Sequence, residues 1–475
     1  MNTNLLKQKI LDLAIRGKLT QQLKSDGTAA DLLTQISDER RKTRDERKGT
    51  RSKKSGVILS EAQSAKSKDL GQIIPLDKSE APFEIPVNWE WVCIDSIASL
   101  ITDGEHLTPR RVESFEGYYL LSARNIQDNE ILLNNVDYVD EDEYNRIAKR
   151  CNPRKNDVLI SCSGSIGRVT VVRDDNKYVM VRSAAMIRPV FVHSCYLMYV
   201  LQSNCLQSQI QNYSKQTAQA NLFQAAIRAL QFPLPPLAEQ QRIVAKIEEA
   251  FAEIDAIEKN KELLKTHIKQ TRQKILDLAI HGKLVPQNKS DEPASVLLER
   301  ITRDNPHYEK LTDVPFEIPA SWEWVKYAEL VTNISVKNFQ VKSSEIQPIG
   351  TFPVVSQGQS NIDGFVDDPK KVVHLRFPIV LFGDHTKIVK YIDFDFVVGA
   401  DGTKVLEAKS AINPKYLYFM TLNIVEKIED RGYGRHFALL SNSLCPLPPL
   451  AEQKRIVDRI EEIFASLDEI SLHLV

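Results

Sequence analysis

The sequence predicts an α+β protein: two mixed α/β heads separated by an antiparallel coiled coil of long helices, with pseudo-two-fold symmetry. Three observations predict it. A central stretch reads as one long helix, pieces of that helix recur at both ends of the chain, and each of the two segments between them is patterned as short strands.

The central stretch runs from Leu234 to Leu284 and begins at a Pro pair, Pro235-Pro236, which stops whatever precedes it. With Ile243 at heptad position d, the d positions are Ile243, Ala250, Ile257, Leu264, Thr271 and Leu278, and the a positions are Ile247, Ile254, Lys261, Ile268 and Ile275. Only Lys261 and Thr271 interrupt the apolar seam. A 3.5-residue repeat sustained this far argues for a coiled coil. At about 1.5 Å per residue, the rod from Ala238 to His281 is roughly 65 Å long, so it reads as a spacer.

Both ends of the chain repeat this helix. The C-terminal string sets Leu447 on Leu234 and continues the seam through Ile456, Ile460, Ile463, Leu467, Ile470 and Leu474. The N-terminal string sets Leu11 on Leu276, with Leu6, Ile10 and Leu13 on the seam. In that alignment Val475 falls on Glu262 and Met1 on Thr266, so the end pieces tile the central helix as a circularly permuted repeat. Identical PLPPLAEQ and KILDLAI strings do not arise from composition alone.

Six segments follow. Residues 1–40 are the N-terminal half of the distal helical repeat, with a turn at Gly17 and a second amphipathic stretch at Ala29–Ile36 that recurs at Pro293–Ile301. Residues 41–82 have few large apolar residues. Nine basic residues lie between Arg40 and Lys54 against Asp45 and Glu46, and the segment reads as a basic flexible linker, with draping on DNA phosphates a weaker second reading. A first head spans 83–233, the central repeat 234–315, a second head 316–446, and the C-terminal half-repeat 447–475. Both heads open on Phe-Glu-Ile-Pro followed by a Trp-Glu-Trp-Val string, at Phe83–Val92 and Phe316–Val325, with the tryptophans as core anchors. Strand patterns lie at Tyr118–Ser122, Val158–Ser161, Val169–Val172 and Tyr178–Val181 in the first head, and at Ile379–Phe382, Ile388–Ile392, Phe396–Val398 and Lys404–Leu406 in the second.

Composition limits the function classes. The chain is 42% hydrophobic and 26% charged with a formal net charge of −1, so no global field draws it to nucleic acid or membrane. The six cysteines show no CxxC and no framework spacing, which argues for reduced thiols and against a zinc site. No signal peptide and no apolar run near 18 residues is evident, so the expectation is a cytoplasmic protein without membrane contact.

Two unlike heads held a fixed distance apart suit a bipartite double-stranded DNA target, because half-sites one helical turn apart lie roughly 34 Å from centre to centre. The motifs then add a resemblance. The paired LPPLAEQ-x-RIV helices (Leu237–Val244 and Leu450–Val457), the KILDLAI-x-GKL pieces (9–19 and 274–284) and the two variable segments between them resemble the specificity subunits of type I restriction–modification enzymes over essentially the whole length. The strings TDGEHLTP (102–109), LSARNI (121–126) and GSIG (164–167) in the first head support it. So do PVVSQ (353–357), LFGDHT (381–386) and VGADG (398–402) in the second. The resemblance implies two target-recognition domains, each reading one half of a split DNA sequence. It implies coiled-coil repeats that fix the spacing and dock two methyltransferase subunits and the restriction subunits. It implies no catalytic residue, no metal and no cofactor on this chain, with S-adenosylmethionine, ATP and Mg2+ on partner subunits only.

Reading bases needs Arg for guanine, Asn or Gln for adenine, and hydroxyls for either. In the first head these types cluster in Gly-punctuated loops at Thr102, His106, Thr108, Arg110, Arg111, Arg124, Asn125, Ser163, Ser165 and Arg168, with Lys215, Gln216 and Gln219 on a later polar loop. In the second they are Ser356, Gln357, His385, Thr386, Lys387, Thr403, Arg431, Tyr433, Arg435 and His436. The alternative for each is a solvated loop residue or a local cap. Asp103, Asp384 and Asp401 read as turn formers. Charge argues the other way: between Phe83 and Pro233 there are 15 Lys or Arg against 17 Asp or Glu, so tight DNA binding calls for help from the partner subunits.

Other classes fit less well. Asp401 with Glu407 and Lys409 has a shorter gap than a nuclease metal site, Asn152-Pro153-Arg154 lacks the second Pro and aromatic of an adenine methyltransferase, and Gly164–Arg168 lacks the ending of a phosphate loop. A coiled-coil adaptor with two protein-binding heads remains the alternative of a different class.

Overall fold

A computed structural model describes residues 3–52 (side chains of 43–52 excepted), 81–113, 117–215, 220–303, 311, 313–399, 402–432 and 434–474. The chain divides into two units, Met1–Lys259 and Asn260–Val475.

In the first unit α1 (Thr3–Ile15) is followed by a turn and α2 (Ala29–Ser52). The head then runs β1 (Glu90–Cys93), α3 (Ile94–Ile97), β2 (Ala98–Asp103), β3 (Arg111–Val112), β4 (Tyr118–Leu121), β5 (Ile126–Gln127), β6 (Glu130–Ile131), β7 (Asp137–Val139), α4 (Glu141–Ala148), β8 (Val158–Ser161), β9 (Val169–Val171), β10 (Tyr178–Met180), β11 (Ala184–Pro189), α5 (Ser194–Gln202), α6 (Asn204–Ser214), α7 (Gln224–Ala229) and β12 (Gln231–Leu234). Two four-stranded sheets, β2-β11-β8-β9 and β10-β4-β7-β3, form its body. Alternation fails in β8 and β9, which are buried at every position, so they read as continuous apolar runs. The 44-residue α8 (Leu237–Ile280) leaves the head and continues into the second unit.

The second unit repeats the plan. It has α9 (Ala294–Thr302), β13 (Glu323–Lys326), α10 (Tyr327–Leu330), β14 (Val331–Ile334), β15 (Phe352–Val355), β16 (Gly364–Val366), β17 (Val372–Val373), β18 (Ile379–Gly383), β19 (Val389–Ile392), β20 (Phe396–Val398), β21 (Thr403–Ala408), α11 (Pro414–Lys427), α12 (Phe437–Asn442), β22 (Leu444–Leu447) and α13 (Leu450–Leu472). Its sheets are β14-β21-β18-β19 and β16-β15-β20-β17.

The strings shared by the two halves are the ones that join a head to its helices. β1 pairs antiparallel with β12, and β13 with β22, bringing the entry and exit of each head together. Glu239 and Glu452, from the AEQ string, are fully buried. Glu239 accepts from Trp89 Nε1 at 2.8 Å and Gln22 Nε2 at 2.9 Å. Glu452 accepts from Trp322 Nε1 at 2.9 Å and Gln287 Nε2 at 2.5 Å. The following glutamine caps the next layer: Gln240 Oε1 accepts from His193 N, and Gln453 Oε1 from Asn413 N, both at 2.8 Å. Arg242 pairs with Asp26 and Arg455 with Asp291. Leu11, Ile15, Ile36, Trp89, Ile243 and Ile247 share one core in the first unit, while Leu276, Trp322, Ile456 and Ile460 share the equivalent core in the second. Each such buried aliphatic side chain stabilises by about 1.5–3 kcal/mol, so α1 and the start of α8 are fixed to the first head by packing as much as by hydrogen bonds.

The repeated Gly of the GKL string has a steric cause. Gly17 and Gly282 adopt φ of 66° and 64°, and a Cβ would lie 2.3 Å from Pro86 Cγ and 2.4 Å from Pro319 Cγ respectively. Gly17→Ala is expected to cost at least the left-handed penalty of about 1–2 kcal/mol, with the clash added, which chemical denaturation against wild type will measure.

In the first unit α1 runs antiparallel to α8: Lys7 pairs with Asp255, and Thr3 donates to Glu258. In the second unit Arg272 of α8 pairs with Asp468 of α13, and its guanidinium lies over the Phe464 ring. Ile243, Ile247, Ile254, Ile268, Ile275, Ile456 and Ile460 are buried in these pairings, while Ile10, Leu13, Leu278, Ile463 and Leu467 are partly buried. The seam is not continuous. Ile257 is 50% exposed and Leu264 39%. Ile257 lies where the described part of α1 begins, and Leu264 lies beyond the end of α13, so neither has a facing helix turn among the described residues. The basic stretch also departs from expectation: α2 extends through Ser52, so residues 41–52 of the expected linker are helical, and 53–80 lie outside the described residues.

Candidate nucleic-acid interface

Each head gathers several loops at one end of its sheets. In the first head they are 103–110, 121–125, 162–168, 181–183 and 220–224. Gly104 N donates to Ala184 O and Arg182 N to Glu105 O, both at 3.0 Å, which ties the first and fourth loops. Ala123 N donates to Ser183 Oγ at 3.0 Å, Cys162 N to Ser183 O at 2.8 Å and Leu222 N to Cys162 O at 2.9 Å, which ties the rest. The Cys162 thiol is inert as a nucleophile: burial, with Asp103 nearby, pushes it up to about 12.

The second head presents the counterpart loops at 356–360, 384–388, 399 with 402, and 430–432 with 434–436. Asp384 N donates to Gly402 O at 2.7 Å, His436 N to Asp384 O at 2.9 Å and Thr386 Oγ1 to Gln357 O at 2.7 Å. Lys390, which sequence reading missed, underlies this cluster. Its side chain is buried, its Nζ donates to Ser356 O at 2.8 Å and Ser360 O at 2.5 Å, and burial pulls its pKa down. Lys390→Met leaves those carbonyls without their donor, and the expected cost of about 1–3 kcal/mol falls on loop 356–360. Loss of order in loop 356–360 with the first head intact is the expected result, measured by amide hydrogen exchange.

The sequence-derived contacts divide into groups. Thr102, Asn125, Thr403 and His436 are buried, so they do not read bases. Asn125 caps a turn, its Oδ1 accepting from Ser122 N at 3.0 Å and its Nδ2 donating to Leu132 O at 3.0 Å. His436 is engaged by Asp384 O and by Arg431 N, which donates to its Nε2 at 3.1 Å. These residues hold the loops in place. His106, Thr108, Ser165, Lys215, Thr386, Arg431 and Arg435 are exposed, and Ser163, Arg168, Ser356, Gln357, His385 and Lys387 are partly exposed. Gln216, Gln219 and Tyr433 lie outside the described residues, as does Asp401. Arg110, Arg111 and Arg124 are exposed but ion-paired, with Asp140, Asp137 and Asp137 respectively. Arg182, absent from the sequence-derived set, is exposed in the turn before β11, and its side chain has no carboxylate partner among the described residues. It was hidden because Tyr178–Val181 reads as a strand whose end gives no loop signal.

Ion pairs line the rest of this face. Asp103 takes Arg150 Nη2 at 2.5 Å and His106 Nε2 at 2.7 Å; burial raises its pKa, but these hydrogen bonds and that of Gln224 hold it below the usual range. Arg146 bridges Glu143 and Glu105 at 2.9 Å each, and its hydrogen bond draws Glu143 down to about 2. No group of three His, Cys, Asp or Glu able to hold a metal ion occurs among the described residues. No helix among them is long and apolar enough to cross a membrane.

Two unlike loop clusters on identically jointed mixed helix–sheet heads define a class: a two-headed recognition protein. Residues 86–266 and 319–472 match the type I restriction modification DNA specificity domain family. Over 98% of this chain and 89% of its own length, the EcoAI type I restriction enzyme specificity subunit of Escherichia coli is 22% identical. The EcoBI specificity subunit of Escherichia coli is 31% identical over 39% of this chain and 41% of its own. An HsdS subunit from Thermoanaerobacter tengcongensis superposes with a TM-score of 0.51 at 17% identity, over 84% of this chain and 94% of that one. A chain from a structural study of complex assembly in the type I R-M system gives 0.54 at 18% identity, over 83% and 94%. The chain belongs to the type I restriction modification DNA specificity family. It is a DNA sequence-specificity subunit and is itself non-catalytic.

Proposed function

We propose that each head reads one half of a bipartite DNA sequence through its loop cluster, and that the helical repeats set the spacing between the halves. In this reading 83–233 and 316–446 are the target-recognition domains. The helices dock two methyltransferase subunits and the restriction subunits in the cytoplasm, and S-adenosylmethionine, ATP and Mg2+ are held by those partners only. The observation that carries it is the pairing of identical joints, Trp89–Glu239 and Trp322–Glu452, with loops of different sequence, SCSGSIGR at 161–168 against GDHTKI at 383–388. Two heads of one design with different loops call for two different half-sites.

Exposed His106, Thr108, Ser165 and Arg182 and partly exposed Arg168 are the readers in the first head. Gln357, His385, Thr386, Lys387, Arg431 and Arg435 are those in the second. Methylome sequencing of cells carrying this chain and its methyltransferase tests the reading. Two short half-sites with a constant unspecified gap are expected, and replacing 83–233 should change one of them. No methylation dependent on this chain, or one continuous palindrome, defeats it.

A further inference from the structure

The first head carries more arginine on its loop face than its DNA-binding charge reveals. Arg111 Nε lies 2.9 Å from Asp137 Oδ2, and Arg124 Nη2 lies 2.7 Å from Asp137 Oδ1. One carboxylate on β7 thus occupies two guanidiniums that come from different elements, β3 and the turn after β4. Beside it, Asp140 holds Arg110 while capping α4 through Glu143 N at 2.9 Å. Arg111 and Arg124 keep about half of their side-chain surface exposed, at 49% and 55%, against 28% for Asp137. The arginines are therefore within reach of a duplex, and the carboxylate lies behind them. Arg168 and Arg182 in the neighbouring loops have no carboxylate partner among the described residues.

Exposed ion pairs of this kind are weak enough for a phosphate or a base edge to displace the carboxylate. The displacement still leaves a negative charge beside the phosphates, which opposes binding wherever the loops make no base contacts to offset it. We propose that Asp137 is a specificity-determining residue of the first head. It holds Arg111 and Arg124 so that they pass to DNA only where base-edge contacts have already drawn the duplex in. This rests on the DNA-reading function proposed above.

The test uses the full chain in complex with its methyltransferase subunit and two duplexes: one of random sequence and one carrying the site found by wild-type methylome sequencing. Asp137→Asn is expected to raise affinity for the random duplex about 5–10-fold. It should also steepen the dependence of log K on log salt by about one to two phosphate contacts. Affinity for the cognate duplex should change by less than about 3-fold, so discrimination falls, and the variant methylome should show relaxation in one half-site. Asp137→Glu, which keeps the carboxylate, should restore wild-type discrimination. Adding Arg111→Gln to Asp137→Asn should return random-duplex affinity toward wild type. Unchanged or lowered random-duplex affinity with a wild-type salt slope overturns the proposal, as does equal weakening on both duplexes, which would make Asp137 a structural residue only. If wild type yields no chain-dependent site, the DNA-reading function itself fails; if the site is present and discrimination is unmoved, only the role of Asp137 fails.

Discussion

Glu452→Ala loosens the second unit by about 2–4 kcal/mol, and Glu239→Ala does the same to the first. Each carboxylate is fully buried and accepts from an indole N–H and a glutamine amide. Truncation leaves the buried indole N–H unpaired, at about 1–3 kcal/mol, and opens a void beside the tryptophan, while the exposed glutamines Gln22 and Gln287 keep the Gly17 and Gly282 carbonyls as acceptors. Removing a buried charge returns part of that cost. Burial raises the Glu452 pKa despite its donors, Trp322 and Gln287. Glutamine keeps the shape and one acceptor, so Glu452→Gln should cost less than half as much. Amide hydrogen exchange locates the effect: protection should fall around β13 and β22 in Glu452→Ala, and around β1 and β12 in Glu239→Ala. Equal protection in wild type and variant would show that the joint is held by apolar packing alone.

Arg182→Ala is expected to weaken binding to the cognate duplex by about 10–100-fold and to relax one position of one half-site. A guanidinium bidentate to a base edge is worth about 1–3 kcal/mol of discrimination. Arg182 is exposed in the turn between the loop at Glu105, whose carbonyl accepts from its N–H, and the loop at Cys162, and no carboxylate among the described residues holds it. Competition with random duplex separates the outcomes. A uniform loss on both duplexes makes Arg182 a phosphate contact, and no loss removes it from the interface.

Much of this organisation was legible in the sequence because it rests on repetition and periodicity. The heptad isoleucines, the AEQ and GKL strings and the tryptophan pairs are local or self-similar signals, and each has a physical role at the joint. Strand patterns at Val158–Ser161 and Ile379–Phe382 were readable because buried strands are apolar throughout. The site was less legible, because exposure and pairing depend on residues distant in the chain. Asn125 and Arg124 are adjacent and equally polar, yet one caps a turn in the interior and the other reaches a carboxylate on β7. His436 looked like a reader and is a buried brace for loop 384–388. Ile257 and Leu264 satisfy the heptad and remain exposed, because periodicity describes one helix and not where its neighbour ends.

The joint has a consequence for how such proteins can change over generations. The residues that attach a head are all outside its loops: an entry tryptophan, an exit proline strand, a buried glutamate and a glutamine. The first helix after the sheets is braced alike in both halves, where Tyr196 donates to Pro233 O at 2.8 Å and Tyr416 to Pro446 O at 3.0 Å. A gene encoding this chain can accumulate substitutions in 162–168 or 384–388 without disturbing attachment. An entire head exchanged at the repeated strings arrives with every partner its socket requires. Selection for a new target and selection for a stable fold therefore act on separate residues, and neither has to wait for the other.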